Sequence, residues 1–234
     1  MKHLLLVSGI VMLLAGCGGS AGQTGRRTVD VRGFTAVSTG WGIDVDIATS
    51  EGWTVDVAAD RQAIDRIVVE VRGSTLWIGL REGTGARARY LASMGRVGVA
   101  LPVLERLEVT GGSTARVSID QPGRDLAIAL SRGSLLSGSL ACSGFSISAS
   151  NSSTADLSGT ADRVDLAGSD RARLKLTGLA TPAMHAVLSG GSTAAVAVSS
   201  SLTVEAAGSS GLSYRGDARV ERQELSGGSW LRRE

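Results

Sequence analysis

Apolar and polar residues alternate with a period of two along most of this chain. Leu107 and Val109 flank Glu108; Ala127 and Ala129 separate Leu126, Ile128 and Leu130; Ser146 and Ser148 separate Phe145, Ile147 and Ala149. Val164 and Leu166 flank Asp165, and Leu202 and Val204 flank Thr203. Period two is the signature of a strand with one buried face. A sustained period of 3.6 is absent, and the abundant Gly and Ser would destabilise helix interiors.

Between these alternating stretches recurs a Gly/Ser-rich hexapeptide, clearest in Thr110 to Ala115 (TGGSTA) and Ser189 to Ala194 (SGGSTA). Related copies are read at Ser131 to Leu136, Ser150 to Ala155, Gly168 to Arg173, Gly208 to Ser213 and Ser226 to Leu231. The spacing of about 18 to 21 residues falls within the range of stacked repeats. After each copy comes a second short strand, such as Arg116 to Ile119 or Arg173 to Leu176. A unit of this length cannot bury its own inner face, but stacking at a strand spacing of roughly 4.8 Å joins the faces into one core. The hexapeptides then form one corner of a solenoid, with Gly111 and Gly190 at equivalent positions of a sharp turn that needs φ > 0.

The N-terminal portion is less regular. Val29 to Val31, Ile43 to Ile47, Val55 to Val57, Ile67 to Val71 and Leu76 to Leu80 read as strands. Asp60 to Asp65 reads as a turn or single helical turn, Arg81 to Ser93 as a long loop, and Val97 to Leu101 as the strand leading through Pro102 into the repeats.

Arg32-Gly33-Phe34, Ile43-Asp44-Val45-Asp46-Ile47, Ala58-Ala59-Asp60, Leu76-Trp77-Ile78, Leu101-Pro102 and then the Leu-x-Val-Thr-Gly-Gly repeats resemble, in that order, the head GIN domain family of bacterial adhesin-head proteins. The resemblance covers about residues 27 to 234. It implies an all-β, right-handed parallel β-helix (β-solenoid), a handedness that the spacing alone does not supply. The family has no established activity and passes on no catalytic residues.

Composition adds an address. Lys2 followed by the apolar run Leu4 to Leu14 has the form of a signal peptide, and Leu14-Ala15-Gly16-Cys17 resembles the lipobox of bacterial lipoproteins. The expected organisation is a signal peptide over residues 1–16, an acylated Cys17 with a flexible tether over 17–27, and one solenoid domain over 28–234. Within that domain, 28–101 is the irregular part and 102–234 the regular repeats. An ordinary secretory signal with an incidental cysteine is the alternative. The lipobox resemblance implies an anchor of three acyl chains, more than the two that stable attachment needs, and Gly18 after the cysteine favours the outer membrane over inner-membrane retention. With Cys17 acylated, Cys142 has no disulfide partner and reads as a buried apolar filler. A net charge of +2 with scattered basic residues, and an aromatic content of 3%, exclude a nucleic-acid partner on electrostatic and stacking grounds.

Little chemistry is visible. The mature chain holds one histidine, His185, placed on the outer face between Met184 and Ala186. No nucleophile motif surrounds it, and His and Cys are too few for a structural zinc site, so no cofactor is expected. Asp44, Asp46 and Asp56 are weak candidates for a Ca²⁺ site or an acid/base pair, against the simpler reading of a solvated face. Asp162, Asp165 and Asp170 read the same way. Trp41, Trp53 and Trp77 are weak ligand-binding candidates: a glycan-stacking platform, or a cover over the open end of the core. Trp230 in the last hexapeptide reads as a lid over the C-terminal end, with Arg232, Arg233 and Glu234 guarding against end-to-end stacking. Two functions follow: a non-enzymatic envelope lipoprotein serving adhesion, scaffolding or binding, with an envelope protein or glycan as partner; or a polysaccharide-binding or polysaccharide-degrading β-helix.

Overall fold

The computed structural model describes residues 24–234; the expected signal peptide over 1–16 and the acylation expected at Cys17 lie outside them. The chain forms a parallel β-solenoid of about seven turns, with coils roughly 19 residues apart. Its first elements are β1 (Thr24–Thr28), β2 (Ala36–Thr39), β3 (Asp44–Thr49), β4 (Thr54–Asp60), β5 (Ile67–Arg72) and β6 (Thr75–Leu80). Helix α1 (Ala86–Ala92) precedes β7 (Arg96–Leu101), β8 (Arg106–Val109), β9 (Thr114–Asp120) and β10 (Leu126–Leu130). The long strands β11 (Leu135–Ala149), β12 (Thr154–Gly168), β13 (Arg173–Leu188) and β14 (Thr193–Ala206) follow, then β15 (Gly211–Arg215), β16 (Arg219–Leu225) and β17 (Trp230–Arg233).

Two faces result. Sheet A stacks β6, β2, β8 and β10 on the second halves of β11 to β14, then β16. Sheet B stacks β7, β3 and β9 on the first halves of β11 to β14, then β15 and β17. The period-two reading of inside and outside holds through the repeats: Leu107, Val109, Leu126, Ile128, Phe145, Ile147, Val164, Leu166, Leu202 and Val204 are all buried in one continuous core.

Coil order departs from chain order at the N-terminal end. Strand β2 pairs in parallel with both β6 and β8, and β3 with both β7 and β9. The coil made by β2 and β3 is therefore clamped between a later segment and the first regular repeat. Antiparallel strands finish this end, β5 on β6, β4 on β7, and β1 on β4. Antiparallel pairing with short strands blunts an edge that would otherwise template another chain.

Several expectations are corrected here. The tether expected over 17–27 is corrected at its last residues: Thr24 to Arg27 belong to β1, register-paired with Asp60 to Val57. Val29 to Val31 are not a strand, though the Val29 N–H donates to Val55 O at 2.8 Å. The loop expected over Arg81 to Ser93 holds α1, whose last residue, Ala92, is buried.

The corner column also shifts. Its two turn residues have positive φ in every tight corner: Gly111 and Gly112 at 65° and 73°, Asn151 and Ser152 at 52° and 63°, Gly190 and Gly191 at 60° and 72°. The same pair is Asp170 and Arg171 (51° and 63°) and Gly208 and Ser209 (64° and 62°), so the copies read from Gly168 and Gly208 start one residue off. They begin at Ser169 and Ala207. An unforeseen first copy lies at Gly40 to Ile43, where Trp41 (66°) and Gly42 (77°) make the turn and Ile43 N–H donates to Gly40 O. Asn and Asp tolerate the left-handed region through local hydrogen bonds, so the corner does not require Gly in every coil. The residue after the turn points inward: it is a buried serine at Ser113, Ser134, Ser153, Ser192 and Ser210, Ala172 after Asp170-Arg171, and Ile43 after Trp41-Gly42. Ser134 Oγ donates to Ser131 O at 2.6 Å and Ser210 Oγ to Ala207 O at 2.8 Å, which satisfies hydroxyls that water cannot reach.

Candidate functional site

The outward positions of sheet A form two rows of register partners. One runs Arg106, Ala127, Ser146, Asp165, His185, Thr203; the other runs Glu108, Ala129, Ser148, Ala167, Val187, Glu205. The rows begin with the long side chains Arg106 and Glu108, pass through Ala127, Ser146, Ala129, Ser148 and Ala167, and then rise again at Asp165, His185 and Val187. Alternation fixes which residues face out, and their smallness sinks the middle of the sheet into a shallow trough of about 530 Å³. Its floor is Ala127, Ala129, Ser146, Ser148 and Ala167; Arg106 and Glu108 bound one end, and Asp165, His185 and Val187 the other. An adjoining depression of about 520 Å³ extends it past Ala127 and Ser146 towards Arg124, Asp125 and Arg163. The signal for this trough was present as the Ala and Ser partners of the inner residues. It became a site only when register brought five coils side by side.

His185 stands at the rim with Nδ1 3.9 Å from Asp165 Oδ1 and Nε2 3.9 Å from Glu205 Oε1. A carboxylate therefore faces each ring nitrogen, and Asp165 also lies 3.8 Å from the Arg163 guanidinium. Such a row offers alternating charge to a ligand lying along the sheet. Cys142, two residues before Gly144 of the adjoining depression, is buried. Burial, then the charges of Asp125 and Asp162, push its thiol up to about 11. A thiol so protonated is a packing group and a poor nucleophile.

The carboxylates singled out in the sequence are not one cluster. Asp44 and Asp46 share the outer face of β3, but Asp56 does not lie on the adjacent strand: Gly98 of β7 is the register partner of both Asp46 and Asp56 and stands between them. Arg116 reaches Asp44 at 3.5 Å and Asp46 at 3.4 Å, while Arg96 meets Asp46 at 3.4 Å. Asp56 instead accepts a hydrogen bond from Thr28 Oγ1 at 2.6 Å. Among the described residues no group of three or more His, Cys, Asp or Glu side chains could hold a metal ion. Asp162 accepts from Ser143 Oγ, and Asp170 sits at a corner turn.

Nor do the tryptophans converge. Trp41 is at the corner with Arg89 over its ring, 5.3 Å from the centroid. Trp53, just before β4, donates Nε1–H to Phe34 O at 2.9 Å. Trp77 lies on the outer face of sheet A, folded over Gly79 under the Arg72 guanidinium. They are neither one platform nor one cover. Trp230 is likewise no lid: it is 42% exposed, on the outer face of β17 over Gly211. Val220, Leu225 and Leu231 are the apolar residues of the last strands that pack, partly buried, on the core there. Arg233 pairs with Asp217 at 2.7 Å, and Glu234 with Arg215 at 3.1 Å.

The family model described as "Putative auto-transporter adhesin, head GIN domain" matches residues 33–218. Among solved structures, a putative adhesin from Bacteroides fragilis superposes with a TM-score of 0.79 at 15% identity, covering 91% of this chain and 97% of that one. A putative lipid binding protein from Parabacteroides distasonis gives 0.69 at 15% identity, with the same coverage of both chains. A putative adhesin from Parabacteroides merdae gives 0.67 at 13% identity, again covering 91% and 97%. At such identities the likeness is one of fold. No curated protein matches the sequence.

Proposed function

Because the chain belongs to the head GIN domain family, we propose that it is a non-enzymatic protein of the bacterial cell envelope, held by an acylated Cys17, whose trough on sheet A is an adhesion surface. The observation that carries this reading is the trough itself. Its floor of Ala and Ser lets an extended chain approach the sheet closely, and the Arg106/Glu108 and Asp165/His185 ends supply polar contacts that fix its position. Small outward residues across three coils contribute shape without a recurring reactive group, which suits binding rather than turnover. Among the described residues no helix is long and apolar enough to cross a membrane, so the reading places attachment at Cys17.

The decisive experiment screens the protein against immobilised envelope glycans and proteins, with and without Ca²⁺, beside an Ala129→Arg/Ser148→Arg variant that fills the trough. Ligand retention by the native chain and its loss in the variant is the expected result. Equal binding by both would place the surface elsewhere. The anchor is tested separately: Cys17→Ser should abolish acyl labelling and membrane attachment, and unchanged partitioning would remove the lipoprotein reading.

A further inference from the structure

Three of the seven large hydrophobic residues exposed among the described residues gather around α1. Trp41 is 51% exposed, Tyr90 66% and Met94 69%. The corner and the helix are in contact: Arg89 lies over the Trp41 ring at 5.3 Å, and a Cβ on Gly42 would meet Ser93 Cβ at 3.1 Å. Helical spacing explains the split within the segment. Ala88, Leu91 and Ala92 turn towards the protein, while Arg87 and Tyr90, at i and i+3, share the outer side, and Met94 is exposed in the turn that follows the helix. Residues 81–95 contain three arginines and one acidic residue, Glu82. None of the ion pairs among the described residues engages Arg81, Arg87 or Arg89.

This patch lies where the chain enters the fold. Gly25 of β1 rests against Arg61 and Ile64, and the helical turn at Ile64–Arg66 packs on α1. Seven Cα steps separate Cys17 from Thr24, a span of at most roughly 25 Å. An anchor at Cys17 would thus hold this end of the solenoid close to the bilayer.

We propose that the face formed by Trp41, Tyr90 and Met94 and bordered by Arg81, Arg87 and Arg89 rests on the anionic headgroup surface of the membrane that holds the anchor. The inference builds on the lipid-anchor reading above and adds a second, protein-borne contact to it. Trp and Tyr favour the headgroup level because their rings are apolar with a polar edge. Exposed arginines contribute attraction to anionic lipid that falls off within a Debye length. The docked face fixes the solenoid's orientation, with the C-terminal coils pointing away from the bilayer.

The test uses the acylated protein carrying a spin label at Met94→Cys, bound to vesicles of phosphatidylcholine with or without phosphatidylglycerol; Cys142, buried, stays unlabelled. Collision rates with oxygen and with a water-soluble nickel chelate report the label's depth, beside a control label at Val187→Cys. Protein that floats on both vesicles, with the Met94 label shielded from nickel several-fold on anionic lipid only, is the expected outcome. High salt or Arg87→Glu/Arg89→Glu should return that label to water without detaching the protein. A Met94 label as wet as the Val187 label on anionic vesicles would refute the patch and leave the anchor standing. Flotation on anionic vesicles alone would refute the anchor and keep the patch, and flotation on neither would overturn both.

Discussion

Trp230 covers Gly211, its register partner on the neighbouring strand: a Cβ added to Gly211 would lie 2.1 Å from the indole. The ring replaces the side chain that glycine lacks and shields the backbone of a strand next to the sheet edge. In isolation, Ala would suit a strand better than Gly by about 0.5–1 kcal/mol. Gly211→Ala should therefore destabilise the native protein but stabilise a Trp230→Ala background. A double-mutant cycle in urea checks this. Additive effects would mean that the ring does not rest on Gly211 in solution.

The inside/outside phase of sheet A predicts two different costs. Ile128 is buried in the core, and Ile128→Ala should lower stability by roughly 2–5 kcal/mol through a cavity. Glu205 is on the outer face beside His185, and Glu205→Ala should stay within about 0.5 kcal/mol. Thermal denaturation of both variants decides it; a reversed order would mean the strands are one residue out of phase.

At the corner, Gly190 has φ of 60°, and a Cβ there would lie 3.0 Å from the Asp170 backbone nitrogen. Gly190→Val should cost about 1 kcal/mol or more. Arg132 occupies the equivalent position with φ of 56°, so Arg132→Gly should relieve strain and leave stability equal or higher. Opposite signs for the two substitutions in melting temperature are expected.

Cys142 supplies a pH signature. Burial first, then Asp125 and Asp162, raise its thiol from 9.0 to about 11. The neutral thiol is favoured in the folded state, so this contribution is fully present below pH 9 and is lost as pH rises from there towards 11. Thiol alkylation at pH 8 should be slow in the native protein and become fast on unfolding; Cys142→Ala should flatten the alkaline fall in stability. Rapid native labelling would show an exposed thiolate.

Local alternation and turn chemistry determined a large part of this protein. Period two placed Ile128, Phe145 and Leu166 inside because a strand cannot present consecutive residues to one face, and the Gly/Ser corners marked the coil length. Only the tertiary structure decided the rest. The corner at Asp170-Arg171 carries the same backbone as Gly190-Gly191, so residue identity alone misplaced its start by one. Stacking β6 and β7 outside β2 and β3 depends on pairings far apart in sequence, which no local pattern encodes. Asp46 and Asp56, candidates for one site along the chain, are set apart because β7 lies between their strands. An aromatic near the chain end satisfies burial equally well over an open core or over a glycine, and strand register placed Trp230 on Gly211. The trough has the same origin: Ala129 and Ser148 are unremarkable along the chain and become one floor because parallel pairing sets them side by side.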